Sequence, residues 1–547
     1  MAKLVLGPLL RYVGETEAVI WVETDEPCEV EVLGHSDRTF CVCGHHYALV
    51  IVDGLEPGSE TPYEVALDGE RRWPEPDSEL PPSAIRTLGR DAPLDICFGS
   101  CRVALPHVEP YVHSKDRHED GREFDALRVL ATEMVRGEHS EWPELLFLLG
   151  DQVYVDEGSP RAREKIRERR GTATPPGEEV SDYTEYSWLY EESWSDPLIR
   201  WLFSTVSTSM VWDDHDISDD WNISRSWLEE MREKSWWHRR ATAGAMSYWV
   251  YQHLGNLSPR HLDENELYRE VRGNQDATRP LREFAEHAHL VGSGTRWSFC
   301  RDVGNSRAIF IDSRAGRVLE EGKRSMVDEE EWEWISEHAQ GDFDHLLLAT
   351  TVPFLLSPGF HHLEAWSERV CDGAWGGLAA RAGEKLRRAV DFDHWASFGD
   401  SFAALRDLIA AVGRGERGKA PASIVVLAGD VHHAYLAELG YPRGSGVESA
   451  AYQAVCSPYR NPLDDKERSV IRAGFSRPFT ALMRALAGAA GAPDPDLRWR
   501  LRAGPFFDNQ VATLRIDGRR AEMKLDKTVP DDEHERRLEC VFEQRLA

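Results

Sequence analysis

The chain has 547 residues, 41% hydrophobic and 29% charged, with a formal net charge of −31. That mixture is globular rather than disordered, and the acidic balance argues against a general nucleic-acid or anionic-membrane surface, which needs basic residues. No apolar run reaches the roughly 18 residues of a membrane span, and nine Cys, an odd number without a dense framework, fit a reduced interior better than a disulfide scaffold.

The segment Met1 to Arg11 is broken by Gly7 and Pro8 and carries neither a small-residue cleavage site nor an Arg pair. No export signal is read, and a cytoplasmic location is expected. Residues 1–90 read as all-β. Ala18-Val-Ile-Trp-Val22, Cys28-Glu-Val-Glu-Val32 and Tyr47 to Val52 have strand composition. Leu55-Glu-Pro57-Gly58 followed by the Tyr63 strand resembles immunoglobulin and fibronectin-III sandwiches. Cys41-x-Cys43 beside His45 and His46 admits a zinc knuckle, but no second Cys pair follows at finger spacing. The Pro- and acid-rich segment 73–82 reads as a linker.

From Asp95 the pattern changes. Short apolar runs at Ile96–Gly99, Leu145–Leu149, Arg307–Ile311, His345–Ala349 and Ile424–Ala428 alternate with helical segments such as Asp125–Arg136 and Trp227–Leu254. This predicts a layered α/β core, with ligands at the carboxyl ends of the strands. Arg161–Arg170 reads as a solvated charged helix and Pro478–Ala490 as an amphipathic one. Val511–Ile516 and Ala521–Leu525 predict a hairpin around Asp517-Gly518. After Pro530-Asp-Asp532, Leu538, Val541, Phe542 and Leu546 fall on one helical face, so residues 527–547 are expected to end in a helix.

Four short clusters follow or flank these strands: Phe98-Gly-Ser-Cys101-Arg102, Gly150-Asp151-Gln-Val-Tyr154, Trp212-Asp-Asp214-His215-Asp216 and Gly429-Asp430-Val-His432-His433. Each alone has an ordinary explanation: a packed Cys, a Gly-Asp turn, an exposed acidic loop. The acids around His215 repel one another unless a cation compensates, and the flanking Trp212 and Trp221 argue for partial burial. Asp430 and His432, two apart, would share a face in extended geometry and suit a metal. His433 would then face away and serve structure. Arg102 and Arg314 are read either as bidentate clamps for an anionic oxygen or as structural ion pairs.

In order and approximate spacing, these motifs resemble the PhoD-like alkaline phosphatases and phosphodiesterases of the metallophosphoesterase superfamily. Tyr186-Ser-Trp-Leu-Tyr190 with Ser195-Asp-Pro197, and Asp312-Ser-Arg314 with Trp332-Glu-Trp334, extend the resemblance over about residues 91–526. It implies an α/β/β/α sandwich at 91–526, preceded by the β-sandwich domain 1–90 and followed by a helix at 527–547 that packs on or covers the site. It also implies hydrolysis of a small-molecule or lipid phosphoester by a metal-activated hydroxide. Cys101, Tyr186 and His432 would hold Fe³⁺, Asp151 would bridge it to Ca²⁺, and Asp214 and Asp430 would hold that second ion. Mn²⁺ and Zn²⁺ are the alternative metals. His215 would protonate the leaving oxygen. Many members of the superfamily place a His ligand before a Pro where this chain reads Thr350-Thr351-Val352-Pro353, and that absence suits a harder cation such as Ca²⁺. Tyr154 sits where others have Asp. A phospholipase-D-like phosphodiesterase and a non-catalytic binding protein are the competing readings.

Overall fold

The computed structural model describes residues 1–292, 294–442, 444–530 and 536–547. The N-terminal region is a β-sandwich. Leu4–Val13, Ala18–Thr24, His45–Val52 and Phe40–Val42 form one sheet, and His35–Arg38, Glu29–Val32, Val65–Leu67 and Glu70–Trp73 form the other. Ile20, Val30, Val50 and Val65 fill the space between them. Alternation puts the other face of the strands, Trp21, Tyr47 and Leu49, into the core of the following domain. Cys41 and Cys43 are not among the metal-competent groups of the described residues. The Cys43 amide donates to the Thr278 hydroxyl at 2.6 Å, and His45 pairs with Glu23 at 2.9 Å.

The larger unit is built on two stacked sheets. In the first, Ser207–Val211, Leu145–Leu149 and Leu94–Gly99 run parallel, and Gln510–Asp517, Arg520–Pro530 and Arg536–Arg545 continue it as an antiparallel meander. In the second, Ser306–Ile311, His345–Thr350, Ser423–Ala428 and Ala450–Val455 are parallel neighbours, with antiparallel strands at both edges. The period of two sorts each strand. Ile96, Phe98, Phe147, Phe310, Leu347 and Leu427 pack between the sheets. Leu146 and Leu148 face helices on one outer side, and Leu346, Leu348 and Val426 face helices on the other. The order is helix, sheet, sheet, helix, as the resemblance implied.

The tail is a correction. The terminal helix expected within 527–547 is the strand Arg536–Arg545, paired along the edge strand Arg520–Pro530; Asp531 and Asp532 of the expected turn lie outside the described residues. The ladder shifts between Leu525 and Asp526, whose partners are Phe542 and Cys540, so Val541 is the extra residue of a bulge. The bulge reverses the faces: Leu538 packs on the outer core, while Val541 and Phe542 pack between the sheets. That phase change imitates a helical spacing. Among the described residues no helix is long and apolar enough to cross a membrane.

Candidate metal centre

The clustered side chains leave the carboxyl ends of the parallel strands. Cys101 follows Leu94–Gly99, Asp151 follows Leu145–Leu149, Asp213 and Asp214 follow Ser207–Val211, Arg314 follows Ser306–Ile311, and Asp430 follows Ser423–Ala428. Cys101, Asp151, Asp430 and His432 all have left-handed backbone, with φ of 57°, 52°, 67° and 51°. This conformation costs an L-residue roughly 1–2 kcal/mol, and its repetition at four candidate ligands marks a site whose geometry is imposed by its surroundings. Asp430 and His432 therefore do not share a face as alternate residues of an extended strand; a tight turn presents them. Two glycines allow the turns to meet. A Cβ on Gly150 would lie 2.7 Å from that of Asp213, and one on Gly429 would lie 2.2 Å from the Ser100 oxygen.

Three overlapping donor groups result, each with its ligand atoms within 4.8 Å of one another: Cys101, Asp151 and Asp430; Asp151, Asp214 and His215; Asp213, Asp214 and Asp430. Burial and then the carboxylates of Asp151 and Asp430 push the Cys101 thiol well above its usual range. Burial and then Asp214, Asp216 and Asp430, opposed by His215, do the same to Asp151. Asp151 Oδ1 and Asp213 Oδ2 are buried without a hydrogen-bond partner. Acids packed this closely, with buried oxygens left unbonded, are costly on their own and are relieved by a cation, so the donor set fits metal ions. Burial pushes His432 down to about 3; its ring is neutral, the form that ligates a metal. His432 stands beside Asp430 and His215 but outside the three tight groups.

His215 stands beside Asp151 and Asp214. Its ring packs on Tyr154 at 4.4 Å, and Nδ1 lies 3.1 Å from Asp156 Oδ1. Against burial, Asp156 and then Asp214 raise His215 well above its ordinary value, while Asp156 itself is lowered. An ionised Asp156 can only accept, so Nδ1 donates and Nε2 is the ring atom left for the site. The Asp216 carboxylate is structural, accepting from the amides of Asp213 and Val153 and from Gln252. His433 is structural as expected, bonded to the Val431 carbonyl and stacked on Tyr435 at 5.2 Å.

One expected role needs correction, and two readings left open are decided. Tyr186 is not at the centre. It is buried on helix Tyr183–Trp194 beside Gly244, whose added Cβ would lie 2.6 Å from the phenolic oxygen. The charged groups acting on it are Arg240, Asp216 and Asp156, not Cys101 or Asp151. The tyrosine at the centre is Tyr154, whose hydroxyl donates to Asp151 Oδ2 at 3.2 Å and whose charged neighbours are Asp151 and Cys101. The signal was local, because Tyr154 is three residues from Asp151 on the same loop. Arg102 is not a substrate clamp. Its Nε donates to the buried Asp125 at 2.7 Å and its Nη1 to the Ser193 carbonyl at 2.6 Å. Arg314 does reach the centre, but as a counter-cation. It donates to Asp213 and Asp393, its Nη2 lies 3.5 Å from Asp214 and 3.7 Å from Asp430, and its side chain is 1% exposed. Four carboxylates hold it charged despite burial, and no edge of the guanidinium faces solvent. Sequence reasoning also passed over Asp156, Asp393 and the pair Glu364–His394.

The comparisons agree with this architecture. The PhoD-like phosphatase family profile matches residues 122–469, more than half of the chain, and a domain of unknown function (DUF7800) matches residues 1–85. No curated protein matches. A solved structure titled "Structure of PhoD" superposes with a TM-score of 0.57 at 14% identity, over 99% of this chain and 92% of its own, a likeness that carries the fold. With the motif order, the two-sheet core and the family match together, this chain belongs to the PhoD-like phosphatase family and is a hydrolase acting on phosphoester bonds.

Proposed function

We propose that the hydrolysis is metal-dependent and that Cys101, Tyr154, Asp151, Asp430 and His432 hold one cation while Asp151, Asp214 and Asp430 hold a second. The observation that supports this most directly is the overlap of the three donor groups, which share Asp151, Asp214 and Asp430. A thiol and a phenol beside one carboxylate suit Fe³⁺; the second position, rich in carboxylates, admits Ca²⁺ or Mn²⁺. When bound, such ions activate water and neutralise phosphate oxygens.

The chain's own residues do the rest. Asp156 fixes the His215 ring and keeps it protonated, so Nε2 can deliver a proton to the leaving oxygen. The Tyr154 ring packs against His215 and limits its movement. Arg314 offsets four carboxylates that would otherwise repel an anionic substrate. The substrate is a small phosphoester. Purified protein with its metals measured, assayed on p-nitrophenyl phosphate and bis-p-nitrophenyl phosphate, tests the reading and separates monoester from diester preference. Full activity after complete metal removal would refute it.

A further inference from the structure

The loop between helices Gly377–Ala389 and Gly399–Gly413 brings an imidazole to the centre from a part of the chain outside the four motifs. His394 Nδ1 lies 2.7 Å from Oε1 of Glu364, on helix Pro358–Cys371. Glu364 is buried, and its other oxygen accepts from the Ser397 hydroxyl at 3.1 Å. The opposite ring nitrogen, Nε2, is buried without a hydrogen-bond partner and stands 3.5 Å from Asp430 Oδ2. One nitrogen fixed by a buried carboxylate, with the other facing a candidate ligand carboxylate, is the arrangement found around metal-binding histidines. Neighbouring ligands of one ion, with bonds of about 2.0–2.3 Å, are roughly 3 Å apart, so a shift of about half an ångström brings Nε2 and Oδ2 onto a common ion.

The loop is also fastened to the end of a core strand. The indole of Trp395, the next residue, donates to Thr350 Oγ1 at 3.3 Å. Thr350 ends the strand His345–Thr350, and the hydroxyl of Thr351 is bonded to that of Ser313 at 2.7 Å. The loop that carries His394 is thus docked against this strand end.

We propose that His394, oriented by Glu364, is a nitrogen ligand of a cation held at Asp430, and that this position prefers Mn²⁺ or Zn²⁺ to Ca²⁺. The proposal rests on the metal-dependent reading above. Imidazole nitrogen suits transition cations and Zn²⁺, whereas Ca²⁺ takes oxygen donors.

The test is calorimetric titration of metal-stripped full-length protein with MnCl₂, ZnCl₂ and CaCl₂, with metal content measured after dialysis. The wild type is expected to bind Mn²⁺ or Zn²⁺ at least about tenfold more tightly than Ca²⁺. His394→Gln should lose about 10–100-fold in Mn²⁺ and Zn²⁺ affinity, and Glu364→Gln about tenfold, with Ca²⁺ binding nearly unchanged. Equal Mn²⁺ and Zn²⁺ affinity in wild type and His394→Gln would overturn this proposal and leave the hydrolase reading standing. No metal uptake by the wild type would overturn both. Should His394→Gln fail to fold by circular dichroism, Mn²⁺-loaded protein carrying His215→Gln and His432→Gln decides. Pulsed-EPR coupling to an imidazole nitrogen is then expected, and its absence overturns the proposal.

Discussion

At the scale of single residues, the centre separates ligands from the groups that only hold them in place. Asp151 belongs to two donor groups, so Asp151→Ala is expected to abolish both metal retention and hydrolysis, measured by elemental analysis and p-nitrophenyl phosphate turnover. His215→Asn should keep the metals and lower kcat by about 100-fold or more, the usual scale for losing a positioned acid. The two tyrosines give a sharper contrast. In protein loaded with Fe³⁺, a phenolate ligand absorbs visible light; Tyr154→Phe should lack that band, while Tyr186→Phe, placed beside Gly244, should keep it. Arg102 acts through stability. Its guanidinium satisfies the buried Asp125, so Arg102→Ala strands a carboxylate and is expected to cost about 3–5 kcal/mol in denaturant unfolding.

At the scale of elements, the strand ends set the ligands and the flanking helices tune stability. Glu368, on helix Pro358–Cys371, accepts from the Gly399 amide at 2.9 Å, and burial pushes it from 4.5 up to about 7. The folded protein therefore holds a proton there that the unfolded chain has released between pH 4.5 and about 7. The contribution of Glu368 to stability falls as pH rises through that window, by up to about 3 kcal/mol, and is constant above it. Glu368→Gln should flatten this slope in unfolding measured from pH 4.5 to 8. The terminal strand makes a separate prediction. Ending the chain before Arg536 would open the edge of Arg520–Pro530 and strip Val541 and Phe542 from the core between the sheets. Such an edge pairs with other copies, so light scattering on heating should reveal earlier aggregation.

At the scale of the whole molecule, the β-sandwich is joined to the catalytic layers by a shared core. Arg11 is fully buried and donates to the carbonyls of Tyr251 and Gln252 and to the Asn256 side chain. Trp21 and Tyr47 pack against Tyr251 at 5.4 and 5.5 Å. Residues 91–547 alone would expose that apolar face and leave those carbonyls unpaired. The arrangement positions the helical side of the centre, because Tyr190, stacked on Tyr251 at 4.2 Å, lies on the helix whose Ser193 carbonyl accepts from Arg102.

The local chemistry of the chain was enough to determine the alternating strands, the turns that end them and the clusters at Cys101, Asp151, Asp214, His215 and Asp430, because strand period, turn residues and motif spacing are short-range properties. It was also enough to bring out the resemblance. Contacts distant in sequence settled the rest. Tyr154 rather than Tyr186 meets Cys101, Arg314 meets four carboxylates contributed by three separate loops, and His394 reaches Asp430 from a helix connection. The last segment is a strand because an unpaired edge awaited it. Pairing and convergence of this kind depend on which elements fold side by side, and a window of sequence contains no measure of that proximity.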